Sequence, residues 1–367
     1  MVHLPGKPLK SMSLTKIMVL YGGKSTEHEV SVHSAQTVCR LLAAQTEKYQ
    51  VYPVFINKEG YWFLQKACGP QTPTDIAITP VLCADKTVQA LDGSFSLKAD
   101  VIFPVVHGTN CEDGTLQGFL ETLQVPYVGC GVLTSAVGMD KELTKILARE
   151  AGIATVPYQK VSRQEPYDKK SLNAWVQANL PVFVKPVRLG SSVGVHKVTN
   201  LSQLDRALEN ALSFDTEALV EKGIDHAREI FCAAYGQGSH VVTSACGELR
   251  TVAGEFFDYN AKYVVAGGCE TQVPAHITPQ AEQGMRQDTQ TLFKVLQANG
   301  FLRVDFLMDK DGTYYMSEVN TIPGMSETSL FPQLFEASGA NYPQILDELI
   351  QMALRTYRQK QSLSTSR

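Results

Sequence analysis

The densest chemistry in this chain of 367 residues lies in "RVDFLMDKDGTYYMSEVN", residues 303–320. Asp311-Gly312 is a two-residue type I′ hairpin signal. With those two residues as the turn, Lys310 pairs with Thr313. The same register sets Asp305 opposite Glu318 and Arg303 opposite Asn320. Residues two apart on a strand share a face. Arg303, Asp305, Glu318 and Asn320 are therefore expected on one side of the ribbon, with Val304, Phe306 and Val319 facing a core. Two carboxylates this close repel unless a cation bridges them. Carboxylate and amide oxygens suit Mg²⁺, which is usually shared with nucleotide phosphates. The competing reading is a solvated charged face.

A second stretch, "KIMVLYGGKSTEHEVSV", residues 16–32, ends an apolar run in Gly22-Gly23-Lys24-Ser25. It has the tail of a phosphate-binding P-loop, but Met18 stands where that motif needs its first Gly. The segment reads instead as strand, glycine turn and helix. Thr26 to Glu29 fits a capping box, followed by Val30, Val38, Leu41 and Leu42 at helical spacing. Such a helix N-terminus favours an anion, and Glu27 in its first turn complements the dipole.

Three further features stand out. His107–Asp113, "HGTNCED", follows the apolar run "DVIFPVVHG". Lys185 ends the apolar strand "PVFVK", an unusual place for a side chain that is mostly exposed. The loop Gly190-Ser191-Ser192-Val193-Gly194 has the glycines and hydroxyls that suit backbone cradling of a phosphate.

The elements that must position these residues alternate in the first third of the chain. "KIMVLY", "YQVYPVFIN" and "DVIFPVVHG" read as strands, with "GYWFL" as a short hairpin strand and a helix over Thr115 to Leu123. This predicts an α/β unit with a largely parallel sheet. Its functional loops belong at the carboxyl ends of strands: Gly22–Glu27, His107–Asp113 and the turn near Gly129. A second unit starts near Thr134 with "TSAVGMDKELTKILAREAGI" as one helix. Strands "PVFVKP" and "EALVEKGI" and helix "NLSQLDRALENALS" complete a small sheet on two helices. The last third carries strands "REIFCAAYG" and "HVVTSAC", the irregular stretch 254–275, a helix over 278–299 and the hairpin. An irregular stretch of that length suggests a functional lid.

Composition narrows the function classes. Hydrophobic content of 44% and charged content of 19% are those of a soluble globular protein of two or three domains. The formal charge of −4 is small and the basic residues are scattered, which argues against nucleic-acid or membrane-surface partners. The eight Cys contain no C-x-x-C pair, so zinc and thioredoxin-type motifs are absent. Scattered Cys fit buried thiols in a reducing cytoplasm. The N-terminus lacks the apolar stretch of a secretory signal, and no run approaches a membrane span. Residues 1–15 and the tail "RQKQSLSTSR" at the end of a segment over 356–367 are expected to be mobile.

Taken together, "YGGKSTEHEVSV", "KPVRLGSSVGV", "DYNAKY" and "RVDFLMDKDGTYYMSEVNTIPGMSETS" resemble the D-alanine–D-alanine ligases, ATP-grasp enzymes, from about Lys16 to Leu349. The resemblance implies an N-terminal α/β substrate domain over 16–133, a central ATP-grasp subdomain over 134–224, and a C-terminal ATP-grasp domain over 225–355 with a mobile loop at 254–274. It implies attack of one D-alanine carboxylate on the ATP γ-phosphate. The amine of a second D-alanine then attacks the acyl phosphate, making a dipeptide for peptidoglycan in the cytoplasm. It also implies a homodimer and two Mg²⁺ ions, with Mn²⁺ as a substitute, held by Asp305, Glu318 and Asn320.

The same resemblance gives Lys141, Lys185 and Ser192 to the ATP phosphates, with Lys262 approaching the γ-phosphate. Glu221 and Glu229 go to adenine and ribose. Glu27, Ser191 and Tyr263 form a hydrogen-bonded set, Arg303 and the Gly324 N–H an oxyanion site. His107 meets the first D-alanine and Ser329 the carboxylate of the second. Tyr263 favours a dipeptide over a D-alanyl-D-lactate product. Cys111 stands where the family commonly has Gly. The rival readings are a same-fold ligase using D-lactate or D-serine, and an inactive nucleotide-binding regulator.

Overall fold

The computed structural model describes residues 13–83, 85–251 and 269–364. The order of elements separates three sheets, each with its own helices. Lys262, Tyr263 and most of the expected lid lie outside the described residues.

The first sheet contains β1 (Thr15–Gly22), β2 (Tyr49–Ile56), β3 (Trp62–Leu64), β4 (Ile76–Cys83), β5 (Lys86–Ala90), β6 (Ser96–Leu97) and β7 (Val101–Pro104). Their order is β6-β5-β4-β3-β2-β1-β7. Only β2, β1 and β7 run parallel, and β3 to β6 extend the sheet antiparallel. The expected "largely parallel" sheet is thus mixed. In the sequence β4 is interrupted by Pro80, which argues against a strand, and β5 and β6 are too short to show a period of two. Ile17 to Tyr21 are all fully buried, since β1 is covered on both faces. Ile17, Val19 and Tyr21 join a core with α1 (His28–Ala43), and Met18 and Leu20 join one with α2 (Thr115–Thr122).

The expected helix over 134–153 is two helices, α3 (Val132–Met139) and α4 (Lys141–Glu150). Asp140 breaks them: its backbone is extended and its carboxylate caps α4 by accepting from the Leu143 N–H at 2.9 Å. Asp favours this cap geometry over a helix interior. The break places Lys141 at the first position of α4.

The second sheet, order β10-β9-β11-β8, is antiparallel and comprises β8 (Tyr158–Ser162), β9 (Val182–Pro186), β10 (His196–Val198) and β11 (Glu217–Lys222). Helices α5 (Lys169–Asn179) and α6 (Leu204–Phe214) cover one face through Leu172, Val176, Leu204 and Leu208. The third sheet, order β14-β13-β12-β15-β16, is also antiparallel. Its strands are β12 (Arg228–Gln237), β13 (His240–Thr251), β14 (Cys269–Gln272), β15 (Asn299–Met308) and β16 (Tyr314–Asn320). Helix α7 (Pro279–Val295) packs on it. α8 (Leu330–Ala337) and α9 (Tyr342–Gln361) bridge it to the first sheet through Phe331, Phe335, Leu346 and Leu349. α9 runs past the boundary expected at 355. No helix among the described residues is long and apolar enough to cross a membrane.

Candidate active site

The hairpin that carries the acidic pair has the expected register by an unexpected route. Arg303 lies opposite Asn320, Val304 opposite Val319, and Asp305 opposite Glu318. Nearer the turn, however, Phe306 pairs with Met316 and Met308 with Tyr314. The turn therefore spans Asp309 to Thr313 rather than Asp311-Gly312 alone. The Gly312 N–H bonds to the Asp309 carbonyl at 3.2 Å, and the Asp309 carboxylate accepts from the Asp311 and Thr313 N–H groups at 2.9 Å. Asp309 thus outcompetes the two-residue turn by an Asx-type closure. A β-bulge at Ser317 then restores the register. Val304, Phe306 and Val319 face the core as expected, all buried.

Two cavities meet at this face. One, of about 230 Å³, is lined by Glu27, His107, Ser191, Arg303, Asn320, Gly324 and Ser329 among others. The other, of about 490 Å³, is lined by Lys185, Ser192, Glu221 and Glu229, with apolar Phe183, Ile224, Phe231 and Leu307. Lys141, Gly190, Asp305 and Glu318 line both. Every site residue expected from the sequence that falls among the described residues borders one of them. The turn near Gly129 does not; it is a packing contact, where an added Cβ on Gly300 would meet the Gly129 backbone at 2.7 Å.

The Gly22-Gly23 turn leads the chain to Glu27, which lines the small cavity. Both glycines have positive φ, and a Cβ on Gly22 would lie 2.2 Å from the Ile56 carbonyl oxygen. The capping box expected from Thr26 does not form: α1 starts at His28, with Glu27 in the N-cap position and no side-chain cap bond. Ser25 closes the turn instead. Its hydroxyl accepts from the Glu27 N–H at 3.1 Å and donates to the His107 carbonyl at 2.7 Å. That tertiary bond ties two strand ends together and delivers Glu27 beside His107.

His107 is buried, with Nδ1 2.8 Å from the Ile322 carbonyl and 3.4 Å from Glu112 Oε1. Burial opposes charge on this imidazole, but the Glu112 carboxylate, and then Glu27, hold its pKa above the ordinary value. Burial, and next the Glu112 carboxylate, push the pKa of Glu27 up. Ser191 lies close enough to favour the Glu27 anion, yet its buried hydroxyl makes no hydrogen bond of good geometry. Cys111 fits without strain, because the left-handed positions of its loop fall on Gly108 and Asn110. Glu112 lies in the same loop as His107, and only its pairing with that imidazole distinguishes it from an ordinary surface acid.

At the junction, Lys141 Nζ donates to the Leu189 carbonyl at 2.6 Å and stands 3.3 Å from Glu318. Arg303 pairs with both oxygens of Asp305. Asn320 Oδ1 accepts from the Ile322 N–H at 3.0 Å. Gly324 lies against Ser329, whose Oγ would be 2.8 Å from an added Cβ. In the large cavity Lys185 lies 2.6 Å from Glu221 Oε2, and Lys145 lies 3.1 Å from Glu221 Oε1. Burial opposes charge on Lys185, but Glu221 and then Glu318 hold its pKa up. Burial dominates at Lys145 and pushes it down to about 8. Burial also works against the Glu221 anion, but the two lysines hold its pKa down. The carboxylate Oε1 has no aligned hydrogen bond. Lys145 is fully buried in α4, and nothing in its sequence setting separates it from a surface lysine.

The donor set tests the expected metal. Among the described residues, no three His, Cys, Asp or Glu side chains group closely enough to cage an ion. Two carboxylates and one amide at the mouth of a larger cavity fit Mg²⁺ that draws its remaining ligands from phosphates and water.

Two family descriptions match the chain: "D-ala D-ala ligase N-terminus" over residues 16–130 and "D-ala D-ala ligase C-terminus" over 147–351. A D-alanine–D-alanine ligase from a Thermoanaerobacter species is 41% identical over 360 residues, covering 95% of this chain and 99% of the relative. The solved D-alanine–D-alanine ligase from Coxiella burnetii superposes with a TM-score of 0.82 at 32% identity, covering 95% of this chain and 96% of that one. VanG, a D-Ala:D-Ser ligase from Enterococcus faecalis, superposes with a TM-score of 0.81 at 34% identity, covering 93% and 99%.

Proposed function

The chain belongs to the D-alanine–D-alanine ligase family, and from that premise we propose that it joins two D-alanine molecules into D-alanyl-D-alanine, with ATP going to ADP and phosphate. The family is one of ATP-using enzymes, and the two antiparallel sheets are the ATP-grasp pair. The observation that supports the reading best is the meeting of the two cavities at Lys141, Gly190, Asp305 and Glu318. The small polar cavity suits amino acids. The larger, partly apolar one suits a nucleotide, and the charged junction suits a phosphate passing between them.

In this reading Glu27 holds the first substrate's ammonium group. Phosphorylation of its carboxylate turns a poor electrophile into one with a good leaving group. Lys141 and Lys185 neutralise phosphate charge, with Ser192 beside them, and positioning supplies most of the catalysis. Asp305, Glu318 and Asn320 would hold Mg²⁺, which would supply positive charge against the nucleotide phosphates. Arg303 and the Gly324 N–H face the oxyanion of the tetrahedral intermediate. Ser329 meets the carboxylate of the second D-alanine, and Glu221 and Glu229 meet the adenosine. His107 borders the first D-alanine, with Ser191 beside Glu27. The dipeptide would serve peptidoglycan synthesis, in the cytoplasm, by a homodimeric enzyme.

The likeness to VanG gives the second reading, a ligase whose second substrate is D-serine or D-lactate. Incubation with Mg-ATP and mixed D-alanine, D-serine and D-lactate at neutral pH, with product identification, separates them. D-alanyl-D-alanine is expected to dominate, and a predominantly ester or serine-containing product overturns the proposal. Glu318→Gln serves as the control and is expected to abolish turnover.

A further inference from the structure

Lys145 lies outside every role described above, yet it is among the most constrained side chains in the molecule. It is fully buried, and a lone buried ammonium is costly unless its protons are satisfied. Its Nζ donates to the Ser317 carbonyl at 2.8 Å and stands 3.1 Å from Glu221. Ser317 is the bulged residue of β16. Its neighbour Met316 is anchored outside the sheet as well, through its N–H to the Ala154 carbonyl at 2.8 Å. The segment that precedes Glu318 is therefore held by α4 and the chain just after it, rather than by the β15 ladder alone.

The bulge has a definite consequence. Side chains alternate along a strand. If the Met308–Tyr314 and Phe306–Met316 pairing continued unbroken, Ser317 would oppose Asp305 and Glu318 would turn toward the core beside Val304. The extra residue sends Glu318 to the cavity face instead. Lys145 clamps the carbonyl at that point. With its other contact it reaches Glu221 on β11, which pairs with Lys185. One ammonium thus ties the ribbon bearing Asp305 and Glu318 to the sheet bearing Lys185, across the back of the larger cavity.

We infer that Lys145 is a positioning residue for phosphoryl transfer: by holding the Ser317 bulge and Glu221 together, it sets Glu318 and Lys185 for a divalent cation and nucleotide phosphates. The inference rests on the proposed ATP-dependent activity. It assigns Lys145 no contact with substrate.

The test is Lys145→Met, which keeps the stem and removes the ammonium. Glu221 retains Lys185 as a partner, which favours folding. Mn²⁺ binding would be measured by electron paramagnetic resonance with a non-hydrolysable ATP analogue, beside KM for D-alanine and the thermal midpoint. Outer-shell partners of metal ligands typically change affinity by about 10–100-fold, and a weakening of Mn²⁺ binding in that range is expected, with KM for D-alanine little changed. Lys145→Gln, which restores a donor without charge, is expected to recover part of the loss. It carries the test alone if the Met variant does not fold. A lower thermal midpoint with wild-type Mn²⁺ affinity in the folded variants would make Lys145 a structural residue only and overturn the inference. Failure of the wild-type protein to bind Mn²⁺ with the analogue or to make a dipeptide would instead overturn the functional proposal.

Discussion

Arg303 holds both carboxylate oxygens of Asp305, with Nε 2.6 Å from Oδ1 and Nη2 2.7 Å from Oδ2. The two residues are neighbours on one face of β15, and Arg303 also lies over the Phe231 ring. A guanidinium in this bidentate arrangement occupies the carboxylate that a divalent cation would otherwise take. Arg303→Met is therefore expected to act in two directions. Removing an oxyanion donor lowers kcat by about 10²–10³-fold. Freeing Asp305 beside Glu318 tightens Mn²⁺ binding in the absence of nucleotide. Steady-state kinetics and a Mn²⁺ titration check both, and unchanged metal affinity would show that the pair does not compete with the cation.

Burial sets the titration of Glu27 and His107 first, and the Glu112 carboxylate comes next at both. That carboxylate raises the pKa of both Glu27 and His107. If ionised Glu27 holds the substrate ammonium, the acid limb of kcat/KM for D-alanine lies above the ordinary glutamate range. Glu112→Gln should move that limb to lower pH. Stability follows the same sign. A raised His107 pKa stabilises the fold at low pH, and that gain fades as pH rises through the folded value. Glu112→Gln removes the gain, so its deficit in urea unfolding should narrow as pH rises. A deficit independent of pH would disprove the coupling.

Asp140 supports Lys141 from the adjacent position. It caps α4 and pairs with Arg188 at 3.2 Å. Asp140→Ala should cost about 1 kcal/mol, the usual effect of losing an N-cap. It should also raise KM for ATP more than KM for D-alanine, because the first turn of α4 carries Lys141 to the cavity junction. Equal changes in both would place Asp140 in stability alone.

Gly22 is a stringent backbone position. It has a φ of +88°, and a Cβ there would lie 2.2 Å from the Ile56 oxygen. The left-handed conformation alone costs a non-glycine residue roughly 1–2 kcal/mol, and the clash adds to it. Gly22→Ala should lower the urea midpoint and displace Glu27. A variant with wild-type stability would show that the turn can rearrange.

Much of the architecture was legible because it depends on local pattern. The run Ile17 to Tyr21 reads as a strand because each residue is apolar, and it is buried on both faces. β5 and β6 are too short to carry a pattern, and Pro80 in the middle of β4 disguises an otherwise apolar strand. The hairpin is more instructive. The pairing of Asp305 with Glu318 follows from a two-residue turn that does not exist, and a wider turn and a bulge compensate each other. The alternation of apolar and polar residues favours the final facing whichever path the backbone takes.

By itself, the sequence determined which side chains were available, and period two alone put Arg303 with Asp305 and Glu318 with Asn320; the wider turn and the Ser317 bulge together brought the two pairs to one face. The sequence also carried the motifs of the ligase family. Only the tertiary structure decided that Ser25 rather than Thr26 organises the first turn and that Lys145 is a buried partner of Glu221. Those outcomes depend on bonds between residues distant in the chain, such as Ser25 to the His107 carbonyl. Local propensity contains no term for a partner that arrives only when the sheets pack.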